Sequence, residues 1–176
     1  ARVTLKFESW RITHHGAVIR QPDGRLPAWW HDEIRPLLVA AQPLLWEYAA
    51  SLERDAATEG YRVRSHSVDE WLTYISVKAN ADDAVLTELR TRLVASGLPE
   101  KLALHHNGNN LAITVRGVQK HDAVRRVAME LKQEGPIVTI GAGDSLTDIP
   151  FLRGCDFALV PRDSQIQTET WREYAP

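Results

Sequence analysis

The sequence predicts an α/β protein: a parallel sheet with its helices, interrupted in mid-chain by a compact α-β-β-α-β-β unit. Three observations predict it. The apolar run Ile137, Val138, Thr139, Ile140 ends in the glycine- and acid-rich stretch GAGDSLTD (141–148), which is how a buried strand delivers a functional loop. A helical pattern (117–135) precedes this strand and a second apolar run, DFALVP (156–161), follows it, the spacing of a parallel sheet. Upstream, helical and alternating patterns follow in the order helix, strand pair, helix, strand pair, enough for one sheet with helices on one side.

The elements are justified in chain order. ARVTLKFESW (1–10) alternates from the outset through Val3, Leu5 and Phe7 and has no initiator methionine, so a segment upstream is expected. WRITHHGAVIR (10–20) reads as a strand with a bend at Gly16, and QPDGR (21–25) as a turn and boundary. From Trp29 to about Ala57, Leu37, Leu38, Ala41, Leu45, Tyr48 and Leu52 recur at three and four; Pro36 suits a first turn, Pro43 should kink or split the helix, and Gly60 ends it. YRVRSHS and WLTYISVKA alternate as two strands. Asp82 or Asp83 caps a helix running through Val85, Leu86, Leu89 and Leu93 to Gly97. KLALHH and LAITVR form a second pair around the turn NGNN (107–110). The helix after them carries Val124, Val127, Ala128 and Leu131 on one face and stops at Gly135; PIVTI, the acidic loop, a short helical turn and DFALVP complete the chain.

Composition narrows the function classes. At 176 residues and 44% hydrophobic the chain can bury a real core, and its net charge of −2, with both signs interspersed, leaves no broad footprint for nucleic acid or an anionic membrane. Neither is an expected partner. No apolar run approaches the roughly 20 residues that span a bilayer, the start lacks the apolar region of a signal peptide, and the lone Cys155 forms no internal disulfide and reads as a small buried hydrophobe. A cytoplasmic location is expected.

The acidic loop supports two readings. In one, Gly143 turns, Ser145 caps, and Asp148 lies in a first turn where the helix dipole favours acid. In the other, Asp144 and Asp148, four apart, face the same way and hold a hard cation, Mg²⁺ with retained waters, which removes their repulsion. GAGDSL lacks the third glycine of GxGxxG and the lysine of a P-loop. Lys120 falls at the start of a helix, where a cation opposes the dipole by a few tenths to about 1 kcal/mol. It is either a solvated surface lysine or, beside a carboxylate-held cation, part of a phosphate site. His14/His15 and His105/His106 are neighbours on strands and point to opposite faces, so neither pair chelates one ion. His106, Asn107, Asn109 and Asn110 make a plain hairpin turn or a reader of sugar hydroxyls; Trp29, Trp30, Trp46 and Trp71 pack in the core or stack on sugars.

Taken in order, these stretches resemble the haloacid dehalogenase (HAD) superfamily of phosphatases, in the branch whose C2-type cap lies between the second and third motifs. GVQKHDAV (117–124) looks like the third motif, GAGDSLTDIPFL (141–152) like the GDxxxD fourth, and ITHHGAVI (12–19) like the strand that normally carries Asn before Gly, with His15 here in its place. The resemblance covers nearly the whole chain. It implies a HAD-like Rossmannoid parallel sheet core (1–25 and 117–176), incomplete at its N-terminus, with an inserted αββαββ cap (26–116). It also implies a Mg²⁺-dependent phosphatase for a small phosphorylated metabolite, in a branch that includes sucrose-phosphate, trehalose-phosphate and mannosyl-3-phosphoglycerate phosphatases. By that resemblance Lys120 neutralises charge, Asp144 and Asp148 hold the metal directly or through water, and Ser145, His15, Gly16, His106, Asn107, Asn109 and Asn110 line the substrate site.

Two motifs are missing. No apolar strand ending in DxDxT or DxDxV occurs, nor the Ser or Thr of the second motif; VDEW (68–71), NADDAV (80–85) and KHDAV (120–124) lack the spacing or the preceding strand. The chain is thus expected to be such a phosphatase without its first few tens of residues. The alternative is a noncatalytic binding or scaffold protein on the same fold, and an upstream DxD decides between them.

Overall fold

The computed structural model describes residues 9–80 and 82–170, so the alternation at Val3, Leu5 and Phe7 lies outside the described residues. Its first element corrects the expected single strand. β1 (Arg11–Thr13) and β2 (Val18–Arg20) pair antiparallel, with Ile12 opposite Ile19, around a 3₁₀ turn at His14–Gly16. The chain reverses because His14 (φ 54°) and His15 (φ 55°) both take the left-handed conformation ahead of Gly16 (φ 102°).

α1 (Ala28–Glu59) runs unbroken through Pro36 and Pro43, so the expected split at Pro43 does not occur, and Pro36 lies well inside the helix. Both prolines sit on its exposed side, where water can take the freed carbonyls. On the opposite side Ile34, Leu38, Ala41, Leu45, Ala49 and Leu52 are buried together, and that continuous stripe keeps the helix whole. Gln42, beside Pro43, ties it to the sheet: its amide donates to Leu72 O at 2.9 Å and accepts from Leu72 N at 2.9 Å.

Gly60, left-handed at φ 77°, ends α1. β3 (Tyr61–Val68), β4 (Trp71–Ala79), α2 (Ala84–Ala95), β5 (Leu102–Asn107) and β6 (Asn110–Val115) follow, giving the expected α-β-β-α-β-β order. The sheet is antiparallel throughout, in the order β3-β4-β6-β5. Alternate residues Ile75, Val77, Leu111 and Ile113 point to α1 and α2 and are wholly buried, each worth about 1.5–3 kcal/mol of burial. An ion pair between Glu59 and Arg92 joins the two helices.

α3 (Lys120–Glu134) leads to β7 (Ile140–Ala142), α4 (Ile149–Leu152), β8 (Phe157–Leu159) and α5 (Gln165–Thr170). β7 and β8 pair parallel, as the α/β reading requires, but each has three residues, shorter than PIVTI and DFALVP promised. Much of the apolar surface on and just before these strands is uncovered: Val138 is 71% exposed, Ile140 65%, Phe157 61% and Leu159 59%. Among the described residues no helix is long and apolar enough to cross a membrane.

Candidate active site

The acidic loop follows β7 and turns through a 3₁₀ segment at Leu146–Asp148. Asp148 points inward. Its Oδ2 accepts from Ser145 Oγ at 2.9 Å, Ser145 N at 3.2 Å and Asp144 N at 3.3 Å, and its Oδ1 accepts from Lys120 Nζ at 2.9 Å. Gly143 makes room, since a Cβ there would lie 2.6 Å from that of Asp148. Burial pushes the Asp148 carboxyl up, but the Lys120 ammonium and the Ser145 donors more than offset it and hold the carboxyl below its ordinary range. Asp144, by contrast, is exposed, and among the described residues its carboxylate makes no hydrogen bond.

Lys120 is the first residue of α3, where the dipole opposes it, and Asp148 is the compensation. Its position is fixed from the other side by Gly16. A Cβ on Gly16 would lie 2.4 Å from Gln119 O and 2.8 Å from Lys120 N, so only glycine lets the β1–β2 turn press on the start of α3. Gly16 O also accepts from Trp30 Nε1 at 3.0 Å, anchoring the turn to α1. His15 is thereby set beside Lys120.

A small cleft opens at this junction, lined by His15, His105, Gln119, Lys120, His121 and Thr147. His15 stacks on His105 (centroids 5.8 Å apart, planes 12°) and meets Tyr74 edge-on at 4.7 Å; Tyr74 stacks in turn on His66 at 4.0 Å. Burial first, then the nearby charges of His105 and Lys120, pushes the His15 imidazole down to about 4; burial and Lys120 act the same way on His105. These rings are neutral at pH 7, and among the described residues the cleft's lining includes no carboxylate, although Asp148 pairs with Lys120. Positive charge and N–H donors suit a phosphate dianion.

Of the residues expected to form the site, Lys120, Asp148, Ser145, Asp144, His15 and Gly16 come together. Ser145 is buried, holding the loop through Asp148 and Thr147. Asn107 and Asn110 face each other at the end of β5 and β6, whereas His106 shares the helix-side row with Leu111 and Val77 and bonds Gly108 O. His66, Tyr74 and His105 were not anticipated as lining residues, although the period-2 pattern of their strands already puts them on the side away from α1 and α2. Trp30 is buried, Trp46 is exposed, and Trp29 lies under the Arg126 guanidinium at 4.2 Å. Cys155 is half-buried, its thiol donating to Phe151 O at 3.4 Å. Among the described residues no group of three or more His, Cys, Asp or Glu side chains forms a metal cluster.

The fold is similar to that of solved phosphatases and haloacid dehalogenase-like structures. No family model and no curated protein sequence matches the chain. Solved structures do: a Eubacterium rectale protein (TM-score 0.55, 15% identity, 90% of this chain and 68% of that one), the sucrose-phosphatase of Synechocystis solved with sucrose and phosphate (0.54, 18%, 91% and 62%), and a haloacid dehalogenase-like hydrolase of Bacteroides thetaiotaomicron (0.50, 10%, 83% and 69%). At these identities the likeness is one of fold, and the chain spans 62% of the length of the sucrose-phosphatase.

Proposed function

We propose that this chain is the larger part of a HAD-superfamily phosphatase that hydrolyses a phosphate monoester, with residues 26–116 as its cap and the flanking segments as its core. The observation that carries the reading is the Lys120–Asp148 pair at the mouth of β7, whose ammonium faces a cleft lined by N–H donors. Lys120 draws in the phosphate and offsets the charge that develops on its oxygens. Asp148 keeps that ammonium aimed, so it acts as a positioning residue, and Ser145 keeps Asp148 aimed. The neutral imidazoles of His15 and His105 offer N–H groups to the substrate without competing for its proton.

The residues present fit a magnesium ion as a partial ligand set: Asp144 supplies a free carboxylate oxygen beside the anchored Asp148, and Mg²⁺ keeps several waters when one or two carboxylates hold it. When bound, it would neutralise phosphate charge that Lys120 alone leaves unbalanced. The attacking aspartate belongs, on this reading, to a strand outside these 176 residues, and the uncovered apolar surface of Val138, Ile140, Phe157 and Leu159 supports a neighbour there.

The test is hydrolysis of sugar phosphates with and without Mg²⁺. The 176-residue chain is expected to show none above background, because positioning without a nucleophile recovers only part of the rate. A chain extended upstream through a DxD strand is expected to turn over and to lose nearly all activity on Lys120→Ala or Asp144→Ala. Robust hydrolysis by the short chain would place a nucleophile within residues 1–176, and an upstream sequence without DxD would favour the noncatalytic binding protein.

A further inference from the structure

The face of the four-stranded sheet turned away from α1 and α2 can be read row by row from the strand register. The row against the β1–β2 turn is His66, Tyr74, Thr114 and Ala103; the next is Arg64, Ser76, Ala112 and His105, the last of which lines the cleft; the third is Arg62, Lys78, Asn110 and Asn107. The first row lies against the turn carrying His14 and His15, whose rings meet Tyr74 at 5.7 and 4.7 Å. Successive rows are about 7 Å apart, so the face runs from the turn, past the cleft residue His105, for roughly 14 Å.

Its charge is one-sided. None of the chain's 23 acidic residues lies on β3, β4, β5 or β6, and all the strands' cations, Arg62, Arg64 and Lys78, fall on this face. Arg62 stands directly opposite Lys78, and like charges opposed across a ladder destabilise it. All three are exposed, and among the described residues none makes an ion pair. Edge lysines and arginines can discourage strand pairing, but Lys78 belongs to the inner strand β4 and has no such role. Beside the three cations, Asn107 and Asn110 supply amides suited to hydroxyl groups, and Ala112 leaves the middle row low.

We propose that this face binds the leaving group of the substrate, and that the leaving group is a hydroxylated compound carrying a second anion, phosphate or carboxylate, held by Arg62, Arg64 and Lys78. The inference rests on the phosphate reading of the Lys120 cleft and specifies its substrate class. Phosphate enters at Lys120, the hydroxylated part lies along Tyr74, Ser76 and Asn110, and the second anion relieves the repulsion between Arg62 and Lys78.

Calorimetric titration of the 176-residue chain tests it with inorganic phosphate, glucose 6-phosphate, fructose 1,6-bisphosphate and 3-phosphoglycerate. Either dianchored ligand is expected to bind about tenfold more tightly than glucose 6-phosphate, what a few partly screened ion pairs provide. This exceeds the twofold that a bisphosphate gains by statistics, and a bisphosphate or a phosphorylated acid winning alone identifies the second anion. The advantage should shrink with added salt. It should vanish in Arg62→Gln/Arg64→Gln/Lys78→Gln, and fall part-way in Arg64→Gln alone, with the affinity for inorganic phosphate unchanged. Equal affinity for all three organic ligands, or an advantage that survives the triple substitution, overturns the proposal while leaving the Lys120 site standing. Phosphate binding that is absent, or undiminished in Lys120→Ala, removes the phosphate reading and this inference with it.

Discussion

Residues 26–116 and the β7–β8 part of the segments flanking them treat apolar surface in opposite ways. In the first region Leu72, Ile75, Val77, Leu86, Leu102, Leu111 and Ile113 are sealed between four strands and two helices. In the second, Ile140 and Phe157 form the start of the parallel pair and are each more than half exposed. The difference teaches that a strand-like pattern is a demand for cover as much as a local conformation. The strands of the four-stranded sheet reach six to nine residues, whereas β7 and β8, with little cover among the described residues, stop at three.

The largest effect that can break this contrast is folding in isolation. Residues 26–116 expressed alone are expected to give a cooperative melt and dispersed amide resonances, since both helices close on their own sheet. A disordered spectrum would mean that the boundary is misplaced. Next comes truncation on each side of the contrast. Leu111→Ala should lose about 2–5 kcal/mol in urea unfolding, whereas Ile140→Ala should stay within about 1 kcal/mol, because little buried surface is removed. Comparable losses at the two positions would refute the claim that β7 is uncovered.

The seam between the regions answers to pH. The unfolded chain protonates its histidines near 6.5, but folded His15 resists until about 4, and His14, His66 and His105 are lowered in the same direction, chiefly by burial. As pH falls from 6.5 towards 4 the unfolded state therefore takes up protons first, and stability is lost across that window, on the order of 2 kcal/mol for His15. Asp148 behaves differently: its carboxyl is depressed, so its contribution persists above the ordinary carboxylate pKa and disappears only below it. Denaturation midpoints at pH 7.5 and 5, with and without His15→Asn, separate the two. A loss of the same size in the variant would take His15 out of the account.

The smallest effect is that of metal. Mg²⁺ in modest excess of its dissociation constant should raise stability by about 1 kcal/mol by mass action. The rise should be absent in Asp144→Asn/Asp148→Asn, and a melting series that shifts equally in that variant would disconnect the loop from the metal.

The sequence made the α-β-β-α-β-β order legible because each element buries residues at its own period within one compact unit. It also made Lys120 and the acidic loop visible, since a cation at a helix start and two carboxylates at a strand end are local conflicts. Three features were not legible. Pro43 carries no mark of the side it faces. Two consecutive left-handed histidines are rare enough that Ile12–Ile19 read as a strand. The rings of His14, His15, His66 and His105 meet only once the β1–β2 turn docks on the sheet, and no local pattern links positions so far apart. The separate duties of Asp144 and Asp148 likewise depend on which one Lys120 reaches.

The backbone contact between Gly16 and Gln119 sets a rule for variation at position 15. The bracket that holds this residue is made of main chain on both sides, so its side chain bears none of the strain of assembly. Its left-handed conformation, however, admits readily only Gly, Asn, Asp and His. Asn, the usual residue of the family this strand resembles, and His, the residue here, both belong to that short alphabet. A randomised library at position 15 should therefore keep those four residues on folding alone, and only among them would selection act on what the cleft binds.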